Sequence, residues 1–487
     1  MATIRSHIGV TTETAVQSAP SAQSVPSGLF QAVGITAKGP LNYGGVIRNM
    51  NEYLAVFGNR TSFDTLFDTV RSYFQEGGAE AVITRVVGPA ATNGTVTVPD
   101  DATTPVDSVS AEIIDPGPQS ADYRAVVSTN TDNTFNFTVM DSVSGRTIVA
   151  FQRAESPTDL ASQALGNEAV IIRALGTTNP KAGVYNFTAG TDDRLAIDAE
   201  SYRTALAAHK GIRPGVAVGI PGMDPRVISD ILGEHCAETS KIGLLDVPAN
   251  STIDEAASIG DQLLDTAAYG SYLSMPLFPA IRVPDGTDRT RVASPIGYAA
   301  AHRSVTHRVR SFAAAVAGPA VKTLWQFQPS VKLSEEDINF LNSHGVNGIQ
   351  SGSGAPFLNN WSSLSQDPGL YDLNVRDAMN NLTALFREAF QSLLWRPNDG
   401  RENLRAEAKS IVDNIMAPLV AGNYLFPTRD MDGNFVDAGY TVQVEDIRTS
   451  GQPAPYDRVQ IAIGLKLSPT LRHIHVPIRN VDLRSAL

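Results

Sequence analysis

Cysteine is almost missing from this chain: Cys236 is the only one in 487 residues. That excludes an intrachain disulfide framework and any multi-cysteine zinc site. Its setting, Ile231-Leu-Gly-Glu-His-Cys236, has helical texture, so a buried structural thiol is expected. Positive charge is also scarce, with 38 basic against 50 acidic residues, a net charge of -12, and no Lys/Arg block anywhere. Nucleic-acid binding draws on a basic surface that releases counterions, so no nucleic-acid partner is expected. Long apolar runs are lacking as well. The longest small and apolar stretch, Phe312 to Val321, is broken by Gly318 and Pro319 and falls short of the roughly 20 residues that cross a bilayer. The opening Met1-Ala-Thr-Ile-Arg-Ser-His7 has no signal-peptide core. A soluble chain with no membrane partner, export signal or anchor is the expectation.

The usual catalytic signatures are missing too. There is no G-x-x-x-x-G-K-[ST] phosphate loop, no G-x-G-x-x-G after a strand, no H-E-x-x-H and no G-x-S-x-G elbow. Ser351-Gly-Ser-Gly354 is glycine-rich but opens no convincing helix whose N-terminus could hold an anion, and reads as a flexible loop. His302 and His307 are five apart, which is not same-face spacing on a helix, so a surface or packing role is expected. Asp430-Met-Asp-Gly-Asn434 hints at a calcium loop but lacks a third spaced carboxylate and the terminal Glu, so a β-turn fits better. His473 and His475 share one face of an extended run with no third ligand nearby. Neither metal nor cofactor is expected, and the chain reads as a non-enzyme. The competing class is an α/β hydrolase whose triad meets only in space.

What is present is an α/β alternation interrupted once. The length suggests about three domains. Residues 1–28, with a short β-like opening at Ile4 to Val10 and then a Ser/Ala/Pro-rich stretch, cannot bury a core and fit an arm or a disordered tail equally. From Leu29 the pattern reads as a strand at Phe30 to Ala37, helices at Asn49 to Phe57 and Phe63 to Gln75, and a strand at Ala81 to Val87. About 91–190 reads as an inserted β-rich domain, with strands at Thr95 to Val98, Tyr123 to Ser128, Thr134 to Val139 and Thr147 to Phe151, and a turn at Asp141 to Gly145. The α/β pattern resumes with strands at Gly215 to Ile220, Lys241 to Val247 and Ser271 to Phe278. Helices are expected at Asp224 to Ser240, Thr252 to Thr266, Pro295 to about Ala317 and from Ser334 onward. The fold class expected is α/β (α+β overall): a sandwich-like core at 29–90 and 191–365, the insert, a C-terminal α+β domain at 366–470 and a final arm at 471–487.

The C-terminal stretch carries the candidate site. Long helices at Asn374 to Leu394 and Asn403 to Leu419 lead into two strands of a hairpin. In the first, Tyr440, Val442 and Val444 alternate with polar residues; in the second, Ile461, Ile463 and Leu465 fall on one face with Val459 and Leu467. A third run places Ile474, Val476 and Ile478 on one face, and Pro477 suits it to a sheet edge. A strand near each end of the chain and a hairpin with edges to fill suggest strand addition between chains.

Several stretches, in order, resemble the tail sheath proteins of contractile bacteriophage tails and related injection machines. Val33-Gly-Ile-Thr-Ala-Lys-Gly-Pro40 is similar to the family's opening strand and turn. Phe57-Gly58, Val70-Arg-Ser-Tyr-Phe-Gln-Glu-Gly-Gly78 and Ala81-Val-Ile-Thr-Arg-Val86 resemble its helix, Gly-rich turn and strand. Leu341-Asn342 with Gly345-Val-Asn347, Leu373-Asn-Val-Arg376 and Trp395-Arg-Pro-Asn398 resemble its later segments. No single piece is specific; their order and spacing are. About 91–190 carries no resemblance, and the opening Ile8-Gly-Val10 departs from the family's usual start.

The resemblance implies a structural protein without turnover. It would stack as rings around a tail tube, shorten when a baseplate triggers it, and drive the tube through a target envelope. The implied partners are other copies of the chain, the tube protein, and baseplate and tail terminator proteins. The implied location is a virion tail assembled in the host cytoplasm, with a tailocin or other contractile injector as the alternative. Strand exchange is then expected to involve Ile4, Ile8 and Val10, the hairpin residues Tyr440, Val442, Val444, Ile461, Ile463 and Leu465, and Ile474, Val476 and Ile478. Residues 11–28 and the Ser468-Pro-Thr470 turn are expected to serve as tethers on which rigid cores swivel. A helix from Arg401 to Met416 would carry Arg401, Arg405 and Lys409 four apart, as a tube-facing surface or as an ordinary solvated face.

Overall fold

The computed structural model describes residues 28–470 apart from 42–43, 168, 286–288, 319–326, 352–355, 397–401, 433, 435 and 448–457. Ile4, Ile8, Val10, Arg401, His473, Ile474, His475, Val476 and Ile478 therefore lie outside the described residues, as does most of Ser351 to Gly354.

The first α/β half runs β1 (Phe30–Gly34), α1 (Met50–Phe57), α2 (Phe67–Gln75) and β2 (Ala81–Arg85). Asn49 caps α1 by accepting the Glu52 N–H. Helix α2 starts four residues later than the expected Phe63, because Asp64 Oδ1 accepts the N–H groups of Leu66 and Phe67 at 2.7 and 2.8 Å. A carboxylate that satisfies those donors marks a helix entry, not a helix interior.

The next strands are β3 (Asn93–Pro99), β4 (Asp107–Pro116), β5 (Tyr123–Thr129), β6 (Phe135–Asp141) and β7 (Thr147–Ala154). Helix α3 (Pro157–Gln163), β8 (Val170–Ala174) and β9 (Gly183–Asn186) follow. They form two antiparallel sheets, β3-β4-β8 and β7-β6-β5-β9, and pair only with one another among the described strands. Period-2 alternation turns Val96, Val98, Val109, Ala111 and Ile113 of one sheet against Ala125, Val127, Phe135, Phe137 and Val139 of the other. The expected turn after β6 is present, with Asp141 Oδ1 accepting the N–H groups of Val143 and Ser144. Both ends of the segment meet where Thr92 and Thr191 exchange backbone hydrogen bonds at 2.8 and 2.9 Å.

The second α/β half contains α4 (Ala199–Ala208), β10 (Ala217–Gly219), α5 (Pro225–Thr239), β11 (Ile242–Leu244) and α6 (Ile253–Thr266). It continues through β12 (Leu277–Phe278), β13 (Ile281–Pro284), β14 (Thr290–Ala293), α7 (Ile296–Val309), β15 (Gln328–Pro329), α8 (Glu335–Ser343), β16 (Asn347–Gln350) and β17 (Phe357–Leu358). The central sheet is parallel throughout, in the order β11-β10-β1-β2. Alternation divides its side chains between two cores. Phe30, Ala32, Ile83 and Leu244 face α1, α2 and α7, whereas Val33 and Val218 face α4, α5 and α6. Helices on both sides explain why these short strands are buried on both faces, with the buried polar Gln31 and Thr84 satisfying each other through a 3.0 Å hydrogen bond from Gln31 Nε2 to Thr84 Oγ1. Helices α2 and α7 approach so closely at Gly297 that a Cβ there would sit 2.0 Å from the Thr69 carbonyl oxygen.

Two expectations are corrected here. The strand expected at Ser271 to Phe278 is a 3-10 turn at Gly270–Tyr272 followed by the two-residue β12. Helix α7 stops at Val309 instead of reaching Ala317, because the carbonyl and hydroxyl of Ser311 take the N–H groups of Ala314 and Ala313. Cys236 is fully buried inside α5, and burial pushes its thiol up to about 12. His302 and His307 are both buried in α7, so packing, not surface, is their setting.

The C-terminal part consists of α9 (Leu373–Phe390), α10 (Asn403–Ala421), β18 (Tyr440–Ile447) and β19 (Arg458–Leu465). A buried ion pair ties α9 to the core. The Arg303 guanidinium on α7 donates through Nε and Nη2 to the two Asp377 carboxylate oxygens, both at 2.7 Å, and through Nη2 to the Gly215 carbonyl at 2.7 Å. Asn381 Nδ2 donates to Asp377 Oδ1 at 3.0 Å. Burial alone would raise the Asp377 carboxyl, but Arg303 outweighs it and holds the group down at about 2. His307 Nε2 lies 3.2 Å from the same carboxylate, and its own burial keeps the imidazole neutral by lowering its pKa.

Candidate assembly site

The hairpin is a two-stranded sheet in which Tyr440 faces Leu465, Val442 faces Ile463 and Val444 faces Ile461. All six hairpin residues singled out from the sequence are thus brought together as three cross-strand pairs. Five of them, all except Val444, pack half-buried on a core built from Ala378 and Leu382 of α9 and Val412, Ile415, Met416 and Leu419 of α10. The Tyr440 hydroxyl donates to Asp413 Oδ1 of α10 at 2.8 Å, and burial together with that carboxylate pushes the phenol up to about 12.

The register determines where the backbone points. Lys466 N–H donates to the Gly439 carbonyl at 2.8 Å, the bond that flanks the Tyr440–Leu465 pair. Tyr440–Leu465, Val442–Ile463 and Val444–Ile461 are therefore the non-hydrogen-bonded pairs of the ladder. Their N–H and C=O groups point away from the partner strand, towards the two outer edges. Among the described residues no other strand takes them. Side chains that cover the helices and backbone groups that line the open edges thus belong to the same residues.

The base of the hairpin is closed and braced. Phe426 N–H donates to the Lys466 carbonyl at 2.7 Å and Ser468 N–H to the Tyr424 carbonyl at 2.9 Å. Asp437 accepts from the N–H groups of Gly439 and Thr428 and from Lys466 Nζ, which holds its carboxyl well below the usual range. Asp437 and Asp413 were not anticipated; the Asp-x-Gly spacing at Asp437 was the one signal that could have found the first. Ser468, expected to open a tether, is pinned through both its N–H and its hydroxyl to Tyr424 and Asn423. Asp430 Oδ1 accepts from Asp432 N–H and Asn434 N–H, the geometry of a braced turn. No group of three metal-ligating side chains occurs among the described residues.

Of the basic row, Arg405 and Lys409 stand on α10, which begins at Asn403 behind a left-handed Glu402, and Arg401 lies outside the described residues. Arg405 lies 3.6 Å from Glu402, and Lys409 is exposed. No helix among the described residues is long and apolar enough to cross a membrane.

No family model and no curated protein matches the sequence. Solved structures do match along nearly the whole length. The sheath tail protein from Desulfitobacterium hafniense is 14% identical, with 90% of this chain and 93% of that chain covered and a TM-score of 0.52. The sheath of an extracellular contractile injection system (PVC) in the contracted state is 12% identical over 99% of both chains, with a TM-score of 0.53. The helical sheath of the anti-feeding prophage in the contracted state is 14% identical over 98% of this chain and 99% of that one, also with a TM-score of 0.53. The chain has the mixed α/β fold of contractile sheath proteins.

Proposed function

We propose that a chain with this fold, and with a two-edged hairpin at its C-terminal end, is the structural subunit of a contractile sheath around the tail tube of a phage or a related injector. One observation carries the reading: the likeness to sheath proteins spans nearly the whole chain. The hairpin supports it, with outward backbone groups along both edges. Sheath shortening would drive the tube through the host envelope. Partners would be further copies of the chain, the tube, the baseplate and the tail terminator, in a tail assembled in the host cytoplasm.

In this reading, strands around Ile4, Ile8 and Val10 and around Ile474, Val476 and Ile478 of neighbouring copies add to the edges of β18 and β19. Each added strand gains several backbone hydrogen bonds, each about 0.5–1.5 kcal/mol net. An unfilled edge also invites wrong pairing, so filling it is protective. Such links would hold copies together while their cores move.

Electron microscopy of the purified chain tests the function: long hollow tubes are expected, and monodisperse particles would count against it. The edges are tested by proline. Val444→Pro on β18 and Ile463→Pro on β19 each remove an outward N–H and spare the ladder between the two strands. Both variants should keep their circular dichroism and lose tube formation. Gln443→Pro, whose N–H lies inside the pair, should disrupt the hairpin itself. Normal tubes from both edge variants would remove strand addition from the account.

A further inference from the structure

The β3–β9 sandwich has two ends, and its topology assigns them different neighbours. Strand β3 leaves the core at the Thr92–Thr191 bridge, and β9 returns to it. Lys38 reaches Asp141, at the end of β6, across the same junction at 3.5 Å. The opposite end gathers four loops, entered from Pro99 of β3, Thr129 of β5, Ala154 of β7 and Ala174 of β8. At seven residues, β3 sets this end about 20 Å from the junction.

These four loops border a cleft of about 620 Å³ that is open to solvent and lined mainly by exposed polar side chains. Asp101 comes from the first loop, Thr129 and Asn133 from the second, Glu155 from the third, and Thr177 and Lys181 from the fourth. The loops are fastened to one another. Asn179 Nδ2 donates to the Asn133 carbonyl at 3.1 Å, Lys181 Nζ lies 3.5 Å from Asp101, and Lys181 N–H donates to the Pro99 carbonyl at 2.9 Å. Arg153, at the end of β7, pairs at the surface with Asp132 of the second loop.

The chemistry of the lining selects among ligand classes. Of the charged groups, Lys181 is matched by Asp101, which leaves the Glu155 carboxylate in excess and disfavours phosphate and sulfate. Pro180 and Ala182 are the only apolar side chains among the described lining residues, and no aromatic ring is present to stack a base. Hydroxyls, amides and carboxylates remain, a mixture of donors and acceptors that suits groups able to do both. We propose that this distal cleft binds a neutral saccharide, presented on the end of the insert most remote from the core.

The test uses the full-length chain and methyl glycosides of glucose, galactose, mannose and N-acetylglucosamine, followed by saturation-transfer NMR and calorimetry. At least one glycoside should bind in the millimolar range. Thr129→Val with Thr177→Val, which deletes two hydroxyls at constant shape, should weaken it about tenfold with an unchanged melting curve. Glu155→Gln should weaken it as well. Absence of binding by all four, binding unaffected in these variants, or a response to heparin or inorganic phosphate alone would each overturn the proposal.

Discussion

Arg303 and Asp377 are 74 residues apart in sequence and both are about 1% exposed. Removing one partner of such a pair strands the other charge in the interior, so Asp377→Asn should lower unfolding free energy by about 3–5 kcal/mol. Urea denaturation would measure it. Asp246, just beyond β11, is a buried carboxyl of the opposite kind: burial raises it to about 7 despite its hydrogen bond to Ser294. A carboxyl raised on folding contributes stability that is complete below its unfolded value of about 4 and is lost as pH rises through the folded value. Asp246→Asn should therefore raise the melting temperature at about pH 8 and have little effect near pH 4. Neither residue could be singled out beforehand. Burial and pairing across distant segments are properties of the fold, and the local sequence around Asp246 or Arg303 does not encode them.

Elements were legible where period and cap agreed. Thr252 with Glu255, Ser334 with Asp337 and Asp224 with Pro225 mark their helix starts to the residue. Helix α4 escaped because its capping box closes with Ser201 where Glu or Gln is usual. Strand β4 was missed although Val109, Ala111 and Ile113 alternate with Ser110 and Glu112, the period-2 pattern of a half-buried strand. The two hairpin strands and their inward faces were readable because alternation marks a face to be buried, whereas their register and ends are set by the paired structure. Helix α10 was readable too, with its start expected at Asn403 where the structure has it, whereas the basic row was drawn from Arg401, which lies outside the described residues. If Arg405 and Lys409 face the tube, Arg405→Glu with Lys409→Glu should weaken assembly on tubes more than polymerisation without them. Equal loss of both in sedimentation assays would mean that this face supports the subunit instead.

At the scale of the molecule, the α/β alternation and its interruption are visible in the sequence, whereas the two small sheets β12-β16-β17 and β14-β13-β15 are not. Their strands are two to four residues long, and only tertiary neighbours make them strands. The interruption itself leads to an expectation. Its two ends are one hydrogen bond apart at Thr92 and Thr191, and its apolar core is separate from those of the central sheet. Replacing 93–190 with a short Gly/Ser turn should leave a cooperatively melting core that still forms tubes. Loss of cooperative unfolding would show that the sandwich supports the core.

The outward groups of the hairpin edges are peptide N–H and C=O, and every residue except proline supplies the same pair. A joint between copies made there is unaffected by nearly all substitutions, since Tyr440, Val442, Ile461, Ile463 and Leu465 turn their side chains to their own helices. If copies join there, the seam demands register and not particular side chains, so whatever keeps copies of this chain apart from other chains of the same fold must lie in side-chain surfaces elsewhere.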